Sequence, residues 1–336
     1  MKFFFLITIV VLFVNSTAFS QQSLKTSDPQ KVSFLLNGNG GSPYVNKDPD
    51  YNENTISKVG LEIPRISYDD QVISHTGYSF LYSDKDKQSR WVAYELTREE
   101  TKKLYYRTDK FLTDPAVKSG TATDSDYAGS GYDRGHLAPA ADMGWSSSTM
   151  AESFYYSNMS PQLPAFNRGI WKKLEELVRT WAIENEALYI VTGPVLTDGL
   201  RSIGQGKVSI PNYFYKVVLD YKNPDINGIG FIFPNAGSGE PLQYYAVSID
   251  SVEKITGIDF YPLIPPDQQA QIEKTLCVNC WTWKTRKTDY KNNADEKASV
   301  PIRCKGFAES GDRCKNKTMD ASGYCHLHIF QKRTKF

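Results

Sequence analysis

Four adjacent residues, Asp133, Arg134, Gly135 and His136, set a carboxylate, a guanidinium, a flexible glycine and an imidazole side by side. An imidazole with an unperturbed pKa of about 6.5 is largely neutral at pH 7 to 8 and can take a proton there. A guanidinium next to it can grip the oxygens of a phosphate in bidentate fashion. Hydrolysis of a phosphodiester calls for such a set: a base for water, a cation on the developing negative charge, and help for the leaving oxygen. The chain has four histidines, and His326 and His328 belong to a cysteine-bearing tail. His75 lies near the start of a β-rich segment with no nearby carboxylate or cysteine partner, so a structural role is expected for it. A histidine beside an Arg and an Asp is most often an ordinary satisfied residue. The downstream sequence must therefore supply the rest of the chemistry.

It does so on a helix. From Asn167, the apolar residues Ile170, Trp171, Leu174, Leu177, Val178 and Trp181 recur at spacings of three and four, which predicts one apolar stripe. Asn167 stands at the helix entrance and is a good N-cap type. Its amide oxygen is also a hard ligand of the kind Mg²⁺ accepts, a metal usually held by few protein groups and several waters. At about 100° per residue, Glu175 and Arg179 fall beside the stripe on the flank that holds Trp171. They are four apart and can pair. Alone they read as a surface ion pair. Beside His136, Glu175 can order water on the metal and Arg179 can clamp a phosphate.

The elements that must position these groups are mixed. Val72–Tyr82 and Arg90–Thr97 alternate as strands, with a turn at Asp84–Lys87. A loop over Arg107–Pro115 and a turn-rich segment, Ser119–Gly131, deliver the chain to Asp133. Ala187–Gly193, Tyr213–Leu219 and Ile226–Phe233 read as further strands, and a short helix ends near Gly257. A Gly-x-Gly-x-x-Gly loop, a Walker loop and regular βαβ spacing are absent, so the fold class expected is α+β with a mixed sheet core.

Three blocks carry a resemblance: Asp133–Pro139 with its continuation to Met143, Ser157–Gln162, and Phe166–Glu175. In order and interval they closely resemble the secreted DNA/RNA non-specific endonucleases, the endonuclease G-like enzymes with a ββα-metal (His-Me finger) site. The resemblance runs from about Ile63 to Pro265 and includes Trp91–Leu96 and Ile255–Pro262. It implies that His136 is the general base and Asn167 the direct protein ligand of Mg²⁺ or Mn²⁺. It implies that Glu175 and Arg179 serve the metal waters and the scissile phosphate, that Arg134 stabilises transition-state charge, and that Asn158 positions groups in the site. Arg107 matches an upstream family arginine across a loop of variable length. The implied substrates are DNA and RNA, cut with little base preference because contact is to the backbone, leaving 5′-phosphate ends.

The chain has 336 residues and a formal net charge of +1, so bulk charge announces no nucleic-acid partner and any basic footprint must be local. Met1–Val14 is a short basic start followed by an apolar run too short for a bilayer span of about 20 residues. Small residues follow at Asn15–Ser20. Residues 1–20 are therefore expected to be a cleavable signal peptide, with Gln21 as the mature start, a secreted or periplasmic location and no membrane contact afterwards. Residues 21–60 read as a polar mobile leader or a docking arm, 61–283 as the nuclease-like domain and 284–300 as a linker. Residues 301–330 form a small Cys/His motif.

All five cysteines lie in the last quarter of the chain. Cys304, Cys314, Cys325 and His328 make a Cys₃His set suited to tetrahedral Zn²⁺, and a segment this short needs such a staple. Disulfide pairing is the alternative that export favours. Cys277 and Cys280 suit a local disulfide or half of a metal site. Two other functions stay open at this point: a catalytically weak relative that binds nucleic acid through its cleft and Cys/His tail, and a phosphodiesterase for small substrates.

Overall fold

The computed structural model describes residues 60–222, 226–285, 302–307, 312–315 and 317–318. The signal segment, the leader up to residue 59, most of the linker, Cys325 and His328 lie outside the described residues.

The core is one seven-stranded sheet. In chain order its strands are β1 (Val72–Ser74), β2 (Ser79–Ser83), β3 (Gln88–Thr97), β6 (Ala187–Pro194), β9 (Tyr213–Asp220), β10 (Asn227–Pro234) and β11 (Ala246–Val247). They lie side by side in that same order, and every pairing is antiparallel. The segment expected as one strand over Val72–Tyr82 is two. His75 turns back at Ser74, and its backbone N–H bonds to Tyr78 O across the turn. His75 also has the carboxylate partner that its local sequence lacks: its Nε2 lies 2.8 Å from Asp114 Oδ2, and Ser157 Oγ donates to the same oxygen.

Side chains alternate across the sheet with period two. Phe80, Val92, Tyr94, Ile190, Phe214, Val218, Phe231 and Phe233 point to one face, and Leu81, Trp91, Val191, Tyr215, Val217, Leu219 and Ile232 to the other. Helix α3 (Lys172–Asn185) covers the first face with Leu174, Leu177, Val178 and Trp181, the stripe read from the sequence. Helices α4 (Ile249–Thr256) and α5 (Pro266–Lys274) cover the second with Ile249, Val252 and Ile272. Helix α4 ends as expected at Gly257, whose φ of 68° is the left-handed cap geometry that glycine accepts without strain. Helix α5 carries only Ile272 and Glu273 as buried positions, so it offered no apolar period to read.

Two short helices, α1 (Asp124–Tyr127) and α2 (Ser147–Glu152), flank a separate hairpin, β4 (Asp133–His136) and β5 (Met159–Gln162). Minor two-residue pairs complete the fold: β7 (Ser202–Ile203) with β8 (Val208–Ser209), and β12 (Ile302–Arg303) with β13 (Lys317–Thr318). After α5 the chain forms a Cys277–Cys280 disulfide and lays Trp281 and Trp283 against Trp181, at centroid distances of 4.5 and 5.6 Å. No helix among the described residues is long and apolar enough to cross a membrane.

Candidate active site

The hairpin β4–β5 followed by helix α3 is a strand–strand–helix unit, and it carries Arg134, His136, Asn167, Glu175 and Arg179. Asp133 pairs with Gln162, Arg134 with Pro161, Gly135 with Ser160 and His136 with Met159. Alternation puts Arg134 and His136 on one face of the hairpin and Asp133 and Gly135 on the other. Gly135 does not act as slack. A Cβ built there would fall 2.2 Å from Gln162 Cδ, so any side chain at 135 would displace the buried side chain of Gln162 across the strand pair.

On the chemical face the guanidinium of Arg134 lies 4.0 Å over the ring of Phe111, and that of Arg107 4.9 Å over Phe154. The imidazole of His136 meets Phe154 edge-on at 4.9 Å and Phe111 at 5.9 Å. The aromatic pair thus spaces two cations around one buried imidazole. His136 is 8% exposed, and its Nε2 has no hydrogen-bond partner. Burial, then the charges of Arg107 and Arg134, push its pKa down to about 3. The ring is therefore neutral at any working pH, a stronger condition than an unperturbed histidine meets. Arg134 is steadied by an ion pair with Asp124, which also accepts from Tyr156. Arg107 is exposed and pairs with Asp109.

Asn158 is fully buried, and its amide is fully spent. Its Oδ1 accepts from Ala138 N at 2.8 Å, and its Nδ2 donates to Ala138 O and Ser153 O at 2.9 Å. It positions the site by clamping the chain just past His136, with no group left for substrate.

Helix α3 does not start with an Asn cap. A wide π-type turn, Phe166–Trp171, leads into it, with Ala165 in the cap position and Gly169 off helical angles (φ −104°, ψ −111°). Such turns are frequent at functional sites. Asn167 sits inside this turn. Its Nδ2 donates to Asp133 Oδ2 at 2.9 Å, and Arg168 holds Asp133 through Nε and Nη2. Against the penalty of partial burial, these bonds keep the Asp133 carboxyl below its usual range. Asp133 therefore ties the hairpin to the helix entrance. The donor half of the Asn167 amide is committed, which points its oxygen, the atom a hard cation takes, away from that bond. An amide oxygen is a hard donor of the kind Mg²⁺ or Mn²⁺ accepts.

Glu175 and Arg179 occur on α3 as predicted but do not pair with each other. Arg179 Nη1 bonds Asp142 Oδ1 at 2.7 Å, and Tyr94 OH donates to Asp142 Oδ2 at 2.8 Å. Burial raises the pKa of Glu175, opposed chiefly by Lys216 and then Arg179. Arg107 acts on both Glu175 and His136, which sets helix and hairpin groups in one electrostatic field. Sequence reasoning passed over Asp142, Lys216, Phe111 and Phe154. A lysine inside the apolar run Tyr213–Leu219 was the available signal for Lys216.

The model of the DNA/RNA non-specific endonuclease family matches residues 52–267. The chain belongs to this family. As a DNA/RNA non-specific endonuclease relative it is 34% identical over 224 residues to mitochondrial endonuclease G of Bos taurus, covering 62% of this chain and 73% of that one. It is likewise 34% identical over 229 residues to a nuclease of Nostoc sp., covering 65% and 82%. A chain of the solved EndoG/EndoGI complex superposes with a TM-score of 0.57 at 31% identity, covering 61% of this chain and 90% of that chain. The α+β fold with its strand–strand–helix site is that of the non-specific endonucleases, and the protein is a hydrolase acting on nucleic acid.

In the tail, Cys304 and Cys314 are both buried and contact each other, in a segment that has no other buried apolar cluster among the described residues. Gly306 N–H donates to Cys304 Sγ at 3.3 Å. Among the described residues, the one group of three metal-ligating side chains is Asp250, Glu253 and Glu273, on the other side of the sheet.

Proposed function

We propose that the protein is an exported, divalent-metal-dependent endonuclease that hydrolyses phosphodiester bonds in DNA and RNA with little sequence preference and leaves 5′-phosphate ends. The observation that carries this reading is the unpartnered, neutral Nε2 of His136, set between two arginines on the strand–strand–helix unit. His136 takes the proton of the attacking water. Arg134 and Arg107 meet the charge that develops on the phosphate. Asn167 Oδ1 would hold Mg²⁺ or Mn²⁺, which when bound polarises the phosphate and the leaving oxygen. Glu175 orders water beside it, and Arg179, fixed by Asp142, steadies that part of the site. Backbone-directed cations and a metal do not read bases, which supports breadth over DNA and RNA.

Plasmid and RNA digestion with Mg²⁺, with EDTA, and with His136→Ala tests this. The expected result is metal-dependent cleavage of both polymers, lost with EDTA and lowered about 10²- to 10⁴-fold by His136→Ala. Chelator-resistant cleavage, or full activity in His136→Ala, overturns it.

Export rests on the Met1–Ser20 pattern, and a mature protein recovered with Met1 in place refutes it. For the tail we propose a zinc site of Cys304, Cys314, Cys325 and His328. The N–H···S bond to Cys304, which favours a thiolate, supports it. One zinc with three protected thiols is expected in metal analysis of the purified protein. Absence of both metal and titratable thiols would point to disulfides instead.

A further inference from the structure

Strand β9 alternates as a strand buried on both faces until Lys216. Phe214 and Val218 face helix α3, and Tyr215, Val217 and Leu219 face the opposite layer. Lys216 occupies the helix-facing column between Phe214 and Val218 and is 0% exposed. Its Nζ has no hydrogen-bond partner and lies over the ring of Trp171, 5.0 Å from the centroid, as a cation–π contact. A buried ammonium without a partner is strongly penalised. A methionine would fill the same volume without that penalty, so packing does not explain the lysine. Direct substrate contact does not explain it either, because the residue is 0% exposed.

The helix line above it gives the reason. Trp171, Glu175 and Arg179 follow one another at spacings of four along the same flank. Burial lowers the pKa of Lys216 and raises that of Glu175, and each is the leading charge that opposes the other's shift. The remaining groups come from every neighbouring element: Arg179 from α3, Asp142 from the segment after the hairpin, Tyr94 from β3 and Arg107 from its loop. Two carboxylates face two inner cations, and without Lys216 that balance fails.

We infer that Lys216 is a positioning residue of the nuclease reaction, its buried ammonium holding the Glu175 carboxylate charged and in place. The inference rests on the reading of Glu175 as a site residue. The test compares Lys216→Met, Lys216→Arg and Glu175→Gln in the full-length protein with Mg²⁺, measuring plasmid hydrolysis from about pH 5 to 9. Lys216→Met should lower kcat roughly 10- to 100-fold at neutral pH with KM little changed. Its acid limb should move to higher pH, because Glu175 then ionises later, so the deficit should shrink as pH rises. Lys216→Arg should restore most of the rate. The double variant with Glu175→Gln should be no slower than Glu175→Gln alone.

Lys216→Met leaves Glu175 uncompensated and should melt lower while staying folded at the assay temperature, and the double variant with Glu175→Gln, which removes both partners, should regain the loss. If that variant does not fold, Lys216→Gln is read in the same way. An unmoved acid limb, or losses that multiply in full in the double variant, overturns the inference. Full activity in Glu175→Gln would instead remove the role of Glu175 itself.

Discussion

The two faces of the sheet each carry a knot of carboxylates, and the two are surrounded differently. On the α3 face, Asp142 and Glu175 share their surroundings with Arg179 and Lys216. On the α4–α5 face, ligand oxygens of Asp250, Glu253 and Glu273 come within 4.8 Å of one another, and Arg65, paired with Asp259, opposes the rise of Glu273 only as the last of its influences. Burial and mutual repulsion push Glu253 up to about 9 and Glu273 to about 7. Where cations are built in, they oppose the penalty of burial, yet Glu175 is still pushed up to about 7. Where they are not, the acids are kept neutral, and the cost appears as pH-dependent stability.

The largest effect expected on this contrast lies at the metal ligand. Asn167→Ala should cut activity by about 10²-fold or more, with only weak rescue by excess Mg²⁺, while melting changes little. Full activity in this variant would move the metal's main ligand elsewhere.

Next comes Asp142→Asn, which strips the buried partner of Arg179 and one acceptor of Tyr94. Removing one member of a buried ion pair costs about 3 kcal/mol. In a domain of this size that lowers Tm by roughly 6–12 °C, readable by calorimetry. Asp250→Asn on the other face, which breaks no ion pair, should leave Tm within about 1 °C or raise it slightly. Equal losses from the two substitutions would erase the distinction between the knots.

The smallest effect is also the most diagnostic. Glu253 and Glu273 have folded pKa values above their ordinary value of 4.5. The stability they contribute is therefore fully present below about pH 4.5 and is lost as pH rises through about 7 to 9. His136 runs the other way: its folded pKa of about 3 lies below the ordinary value of 6.5, so its contribution is lost as pH falls through that window. Denaturant titration should accordingly show stability declining on both sides of mildly acidic pH. Glu253→Gln should raise stability by about 1 kcal/mol at pH 8 and flatten the alkaline decline. An alkaline arm unchanged in that variant would show that the acidic knot ionises freely.

The site was legible wherever chemistry is local. Arg134 and His136 share a strand face because they are two apart, and Glu175 and Arg179 share a helix flank because they are four apart. Helix α3 showed in its stripe, and β6, β9 and β10 in their apolar runs. What sequence spacing hides is partnership across distance. Asp142 lies 37 residues from Arg179, Asp114 lies 39 from His75, and Asp133 lies 34 from Asn167. These pairs turned an expected helix surface pair into a buried one, gave His75 a carboxylate, and replaced an N-cap by a tie to the hairpin. Helix α5 and the wide turn at Phe166–Trp171 lacked any pattern that marks them in advance.

Gly135 has a consequence for how substitutions in this protein are interpreted. A saturation library scored by nuclease activity would show position 135 as intolerant as position 136, since even one added carbon collides with Gln162. Ranked by tolerance alone, a residue with no side chain would pass for part of the reaction machinery. Abundance scored in the same library tells the two apart: variants at 135 fall in both measures, and variants at 136 keep the protein and lose the cut.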